Sequence, residues 1–416
     1  MKRSLENFVV LDHPYVSDVC EATLSRLETP VLLAAPDVPV RDASALRLLD
    51  REAFFAAVAT AERPRLYANS ENPLAIVRAG LEFARDDGGG DAAKRLARRI
   101  GLAKDKAAMR EMLRPLYPGF WFRRVALRGL DDLDVGSLRF PLVLKPAVGF
   151  FSVGVATVPS AADWPAAVAA VRRQFDQWRG VYPRSVLDEG AMLLEQFVEG
   201  EEYAVDVYWD GAGRPVIVNL MAHLFRDAED TTDRVYWTGA EVLRAKLAPL
   251  GHTLGEIGGQ LGFSDFPAHV ELRVVPGDRA VPIEINPLRF AGFGTTDLAW
   301  FAFGSNSHDA FLRESVPDWD ALLRGREGRV YSLVLCSLPA SIDRSRIVEV
   351  RWDELAASFE GLVALRPIDY RQYPILAFAF LENDGLDEPR RHLDTDFTQF
   401  LRMGSDPALP TRTRGE

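Results

Sequence analysis

Thiols are almost absent from this chain: Cys20 and Cys336 are its two cysteines, far apart in 416 residues. That excludes a disulfide framework and a cysteine-based zinc site, and it suits a reducing, cytoplasmic setting. A lone cysteine in an apolar run such as YSLVLCSLP reads as core packing. Long hydrophobic runs are missing too. No stretch approaches the roughly 20 apolar residues of a membrane helix, and Asp12 and Pro14 interrupt the opening MKRSLENFVVLDHP, so no signal peptide is expected. Positive charge is in deficit. Lys and Arg number 49 against 60 Asp and Glu, a net charge of -11, which excludes a broad electrostatic grip on nucleic acid. No G-x-G-x-x-G follows the first apolar segment, no G-x-x-x-x-G-K-[ST] occurs, and no Ser/His/Asp or Cys/His motif is recognisable. There are no internal repeats.

The remaining pattern is that of an ordinary globular chain, 48% hydrophobic and 26% charged, long enough for about three domains. Residues 6–100 alternate apolar runs with helical stretches: NFVVLDHP, TPVLLAAP and PRLYANS as strands, with VCEATLSRL, residues 43–60 and NPLAIVRAGLEFAR as helices. That alternation predicts a small parallel sheet. DDGGGDAAKRL reads as a linker leading into a helix, and residues 101–115 as one helical run bearing Lys104 and Lys106. From about residue 140 the pattern changes to strands: 141–145, 153–158, AMLLEQFVEG, EEYAVDVYWD and RPVIVNLMAHLF, the last two joined by a turn at Asp210–Gly213. A helix is expected over 161–178 and another over 240–261, ending at Gly262. Residues 219–239 read as a polar loop. Further strands fall within 328–381, and the tail beyond 404 reads as disordered.

Two stretches carry chemistry. In PLVLKPAVGFFSVGV, residues 141–155, a core strand ends on Lys145, and a loop spaced by Gly149 and Gly154 follows. A buried-strand lysine beside a loop whose backbone can approach a ligand suits phosphate. In AHVELRVVPGDRAVPIEINP, a hairpin turn centred on Gly277 and Asp278 makes facing residue numbers sum to 555. Glu271 then faces Glu284, and His269 faces Asn286, all on one side of the ribbon. Like charges opposite each other are destabilising. Either Arg273 or Arg279 relieves them, or two carboxylates and an amide oxygen form a hard-oxygen site for Mg²⁺.

Together, the lysine-terminated strand, the glycine flap, the segment LLEQFVEGEE and the E…E-x-N hairpin resemble the ATP-grasp superfamily, from about Lys106 to Asp297. The resemblance implies a mixed α/β and α+β protein. It would have a Rossmann-like pre-ATP-grasp domain at 1–100, a small lid subdomain with the flap at 101–185, and a large subdomain with the metal hairpin at 186–320. A β-containing C-terminal extension would occupy 321–416. It further implies that Lys106 and Lys145 bind nucleotide phosphates and that Gly149, Ser152 and Gly154 belong to the flap. Glu195 would accept from the adenine amino group, the Phe197 and Val198 backbone would read the ring edge, and Glu202 would hold the ribose. Glu271, Glu284 and Asn286 would hold one or two Mg²⁺, with Mn²⁺ as a substitute. Arg289 would steady the transferred phosphoryl group, although it lies two residues after Pro287, where the superfamily's arginine follows directly. Phe150 and Phe151 also depart from the small residues common in such flaps.

The implied activity is an ADP-forming carboxylate–amine ligase working through an acyl phosphate, with ATP as co-substrate and amino acids as the expected substrates. Substrate-contact candidates are His223, Arg226, His269, Arg273, Thr295 and Thr296, with Arg234 and Trp237 near the same loop. Competing readings are a carboxylase-type enzyme activating bicarbonate, a ligase modifying a peptide or protein, and a nucleotide-binding regulator without turnover. No nucleic-acid or membrane partner is expected, and a homodimer is compatible with the resemblance.

Overall fold

The computed structural model describes residues 6–86, 91–149, 153–178, 190–227, 232–275, 277, 279–339 and 341–404. The flap residues Phe150, Phe151 and Ser152, part of the glycine-rich linker and the tail beyond 404 lie outside the described residues.

The N-terminal region forms the expected parallel sheet. Its four strands run in the order Arg47–Leu48, Pro30–Leu33, Glu6–Leu11, Pro64–Ala68. The helix expected over 43–60 is shorter, Arg51–Thr60. Asp50 accepts from the backbone N–H of Ala53 and so starts the helix there, while Arg47 and Leu48 pair with the neighbouring strand instead. The helical run expected across 101–115 is also split. One helix, Asp91–Lys104, ends where Asp105 caps a second, Lys106–Met112, by accepting from Ala107 and Ala108. This break puts Lys106 at a helix start, where its N–H donates to Ala147 O at 2.9 Å and ties it to the end of the Lys145 strand.

A second, antiparallel sheet has the order Phe122–Val125, Met192–Gln196, Leu142–Pro146, Ala156–Val158. Leu142, Leu144, Met192 and Leu194 pack with Val168, Val171 and Phe175 of the helix Trp164–Trp178. The alternation in the strand therefore points Leu142 and Leu144 into this core.

The third sheet is the largest. Its eight antiparallel strands run in the order Arg279–Pro287, Phe266–Val275, Glu201–Trp209, Pro215–Leu224, Val235–Gly239, Val330–Ser337, Ile375–Asn383, Leu362–Pro367. The reading of 219–239 as a loop is corrected here. Residues 219–224 belong to the strand expected from RPVIVNLMAHLF, and it is Val235–Gly239 that forms an unexpected strand, pairing on both sides. Its short, polar-flanked sequence hides a strand because the neighbouring strands supply the hydrogen bonds and bury Val235 completely. Through this strand, those of the C-terminal region join the same sheet as the carboxylate hairpin.

The helix Ala240–Leu261 crosses the sheet and ends at Gly262 in the left-handed conformation, as expected. It packs on Trp209, whose indole Nε1 donates to Leu254 O at 2.9 Å. A Cβ at Gly258 would sit 1.9 Å from that indole nitrogen. We expect Gly258→Ala to destabilise the chain by about 1–3 kcal/mol through overpacking. An unchanged melting temperature would contradict this packing.

Candidate functional site

The hairpin pairs His269 with Asn286 and Glu271 with Glu284, the pairing expected from the sequence. Nearer the turn, the register runs from Leu272/Pro282 to Val275/Arg279, one residue short of the expected sum. The turn is thus centred on Gly277 alone, and a bulge at Ile283 restores the register before the site. The bulge has a use: the Ile283 carbonyl accepts from Lys145 Nζ at 3.1 Å.

Around the hairpin, buried cations and carboxylates interlock. Lys145 Nζ lies 2.6 Å from Glu195 Oε1, and Arg110 Nε lies 2.6 Å from Glu195 Oε2. Lys106 pairs with Glu284 at 2.9 Å. Glu71 takes Lys104 on one oxygen and Arg289 on the other, the latter at 2.9 Å. Arg273 donates to Glu202 at 2.8 Å, with His223 Nδ1 3.3 Å from the other oxygen. Lys104 and Lys106 both reach Gly149 O, at 3.1 and 3.5 Å, where the flap begins.

The electrostatics follow from this pairing. Burial alone would raise Glu195, but Arg110 and Lys145 pull its pKa down to about 2. Burial opposed by Lys104 and Arg289 leaves Glu71 at about 2 as well. Desolvation lowers the pKa of Lys104 and of Lys145. Glu284 is held below its ordinary range by Lys106 and Lys104 despite burial. Glu271 differs. Burial and the nearby Glu284, Asp233 and Glu202 push it well above the carboxylate range. It meets His269 Nε2 at 3.7 Å and, among the described residues, pairs with no lysine or arginine. Such a carboxylate needs a cation. The Asn286 Oδ1 beside it is buried and has no hydrogen-bond partner. Two carboxylates and an orphaned amide oxygen fit Mg²⁺, which takes its other ligands from phosphate and water. Among the described residues, no three His, Cys, Asp or Glu side chains could hold a metal by themselves.

Two cavities meet at this point. The first is lined by Lys106, Lys145, Gly149 and Glu195, and by Phe197, Val198 and Glu202. The second is lined by Glu71, His269, Asn286, Arg289 and Thr295. Asp233, Glu271 and Glu284 line both.

Several expectations need correction. His223 and Arg273, assigned to substrate, lie in the first cavity around Glu202, and Arg273 also stacks over Phe197. Arg226 pairs with Asp394 at 2.8 Å, and the guanidinium of Arg234 donates to Leu393 O and Thr395 O; neither lines a cavity. Thr296 is buried behind the second cavity rather than on its wall. Gly154 is a turn residue at φ 75° packed on Phe175, so its glycine serves the backbone. Glu195, expected at the adenine, holds Lys145 on one oxygen and Arg110 on the other and lines the first cavity. Ser152 lies outside the described residues.

Sequence reasoning also missed Glu71, Arg110 and Asp233 and gave Lys104 no role. Glu71 follows the fully buried strand Pro64–Ala68 within NSEN, the same signal of charge after a core strand that identified Lys145. The displaced Arg289 has a structural reason. Leu288 takes a left-handed φ of 61°, its N–H bonding Pro267 O and its carbonyl bonding Ala68 N, and this turn faces Arg289 toward Glu71.

Comparison with known proteins can now be set beside this geometry. Residues 138–297 match the family model described as an ATP-grasp domain. The L-amino acid ligase from Bacillus licheniformis is similar in structure, with a TM-score of 0.67 and 18% identity over 97% of this chain and 99% of that one. N5-carboxyaminoimidazole ribonucleotide synthetase from Thermotoga maritima gives 0.63 and 14%, over 97% and 100%. Biotin carboxylase from Campylobacter jejuni, solved with a β,γ-ATP ligand, gives 0.57 and 12%, over 92% and 88%. No curated protein matches the chain in sequence. At these identities the structural likeness is one of fold.

The depressed carboxylates make acid stability testable. A carboxylate whose pKa falls on folding contributes stability that is complete above its unfolded value and lost as pH drops through the folded one. For Glu71 and Glu195 that window runs from 4.5 down to about 2. We expect thermal stability to fall across it. Glu71→Gln should cost about 3–5 kcal/mol at neutral pH by leaving Lys104 and Arg289 uncompensated, and its acid slope should be shallower. A variant with wild-type stability and slope would show that these ion pairs are not formed.

Proposed function

Residues 138–297 match an ATP-grasp domain, and from that premise we propose that the chain is an ATP-dependent carboxylate–amine ligase that forms an amide bond and releases ADP and phosphate. The observation that carries the reading is the shared wall. A cavity ringed by lysines meets a second, arginine-bearing cavity at Glu271 and Glu284, beside the unpartnered oxygen of Asn286. Nucleotide occupies the first cavity and the carboxylate substrate the second, so phosphoryl transfer occurs where they join.

The chain's own groups account for each step. Lys106 and Lys145 exchange their carboxylate partners for phosphate oxygens. Glu202 and the backbone of Phe197 and Val198 face the nucleoside. Glu271, Glu284 and Asn286 hold one or two Mg²⁺, which neutralise phosphate charge when bound. The substrate carboxylate oxygen attacks the γ-phosphorus, the bond to the ADP oxygen breaks, and Arg289 stabilises charge on the transferring group. The amine nitrogen then bonds the acyl carbon, phosphate leaves and a proton is released. Phosphoryl transfer asks mainly for positioning and charge stabilisation.

ADP release, measured across amino acids and small carboxylates crossed with amines, tests the reading. We expect release to require one carboxylate together with one amine. Release that requires bicarbonate instead would make it a carboxylase-type enzyme. ATP binding without release under any mixture would make it a nucleotide-binding protein without turnover. Glu284→Gln should abolish turnover while the chain stays folded, and normal activity would sink the metal assignment. Lys145→Ala should weaken ATP binding by roughly tenfold or more, the value of a charged hydrogen bond. Unchanged affinity would mean that another cation holds the phosphates.

A further inference from the structure

The cavity containing Arg289 has a charged end and an apolar end on one face of the eight-stranded sheet. The strand registers show it. Glu284, Glu271, Ala204 and Met221 form one row across adjacent strands. Farther along the same face, Tyr236 pairs with Leu333, and Leu335 pairs with Phe378. The loop after Arg289 closes over that end. The Phe293 ring lies 5.4 Å from Phe378 and 5.7 Å from Tyr373, centre to centre. All of these but Ala204 line the cavity, and the wall formed by Met221, Phe293, Leu333, Leu335 and Phe378 bears no charge and no amide. The charged end, by contrast, gathers Arg289, Glu71, Asp233 and the hairpin carboxylates.

We propose that the carboxylate substrate carries an apolar side chain, and that the C-terminal strands Val330–Ser337 and Ile375–Asn383 select it through Leu333, Leu335 and Phe378. This rests on the ligase reading for the placement of the carboxyl group. With the carboxylate held at the junction of the two cavities, the body of the molecule extends over Met221 toward these residues. A charged or amide side chain there would lose its hydration without a partner. An apolar one gains about fourfold in affinity for each buried methylene. Bicarbonate would leave this wall without an occupant.

The test is calorimetric titration of the full chain, with Mg²⁺ and ADP present, by glycine, alanine, norvaline, norleucine and phenylalanine, and by aspartate, serine and lysine. We expect affinity to climb about fourfold per methylene through the aliphatic series, with aspartate and lysine weaker than alanine. Leu335→Ala should shift the optimum to a longer side chain. ATP affinity, read in the other cavity, should be unchanged and reports that the variant is folded. A flat series, tightest binding by a charged side chain, or no binding by any of them would overturn the proposal, and the wild-type series decides this without the variant. ADP release run in parallel separates the two readings. Graded binding without release under any amine would remove the ligase and keep the apolar wall. Release indifferent to the side chain would keep the ligase and remove the wall.

Discussion

Buried charge held by opposite charge is the constraint on which this structure depends. Lysines and arginines that could bind phosphate sit almost without solvent, and each needs a carboxylate to remain there. Lys145 and Arg110 share Glu195, Lys104 and Arg289 share Glu71, and Lys106 takes Glu284. Breaking one such pair strands its partner in a low-dielectric interior. The parts that supply them come from three sheets and from the two helices that carry Lys104, Lys106 and Arg110, so the ion pairs also tie these elements together. Glu71 extends from the parallel sheet, Lys145 and Glu195 from the four-stranded antiparallel sheet, and Glu284 from the large one.

The same pairing prepares the site for a polyanion. The cations are already gathered and desolvated, and a phosphate group replaces a carboxylate of similar charge instead of displacing bulk water. Glu271 is the counterpart. It is crowded by Glu284, Asp233 and Glu202, relieved only in part by the charge of Lys106, and among the described residues it pairs with no lysine or arginine. The fold thus keeps matched charges on one side of the junction between the cavities and crowded carboxylates on the other.

Much of this was legible in the sequence, and the physics explains which parts. The placement of Lys145 at the end of a core strand and the pairing of Glu271 with Glu284 rest on local rules, strand alternation and hairpin register, and both hold. The register held through a cancellation: a turn centred one half-step early and a bulge at Ile283 that makes up the difference. Tertiary partners were not legible. Glu71 lies 33 residues before Lys104 and 218 before Arg289, and no periodicity links them. Val235–Gly239 looked like a loop because its neighbours, not its own composition, make it a strand. Arg226, Arg273 and His223 were plausible substrate contacts by residue type, but type alone does not say into which cavity a side chain turns.

The carbonyl of Ile283 gives Lys145 a second allegiance. The lysine belongs to the four-stranded antiparallel sheet and the carbonyl to the large sheet, so one ammonium group spans the seam between them. A phosphate that recruits this ammonium competes with that tie. On the proposed ligase reading, phosphate binding and this tie would draw on the same three hydrogens, and by reciprocity whatever tightened one would loosen the other. Any change at Lys145 is therefore felt on both sides of that seam, in the ion pair with Glu195 and in the bulged strand at Ile283.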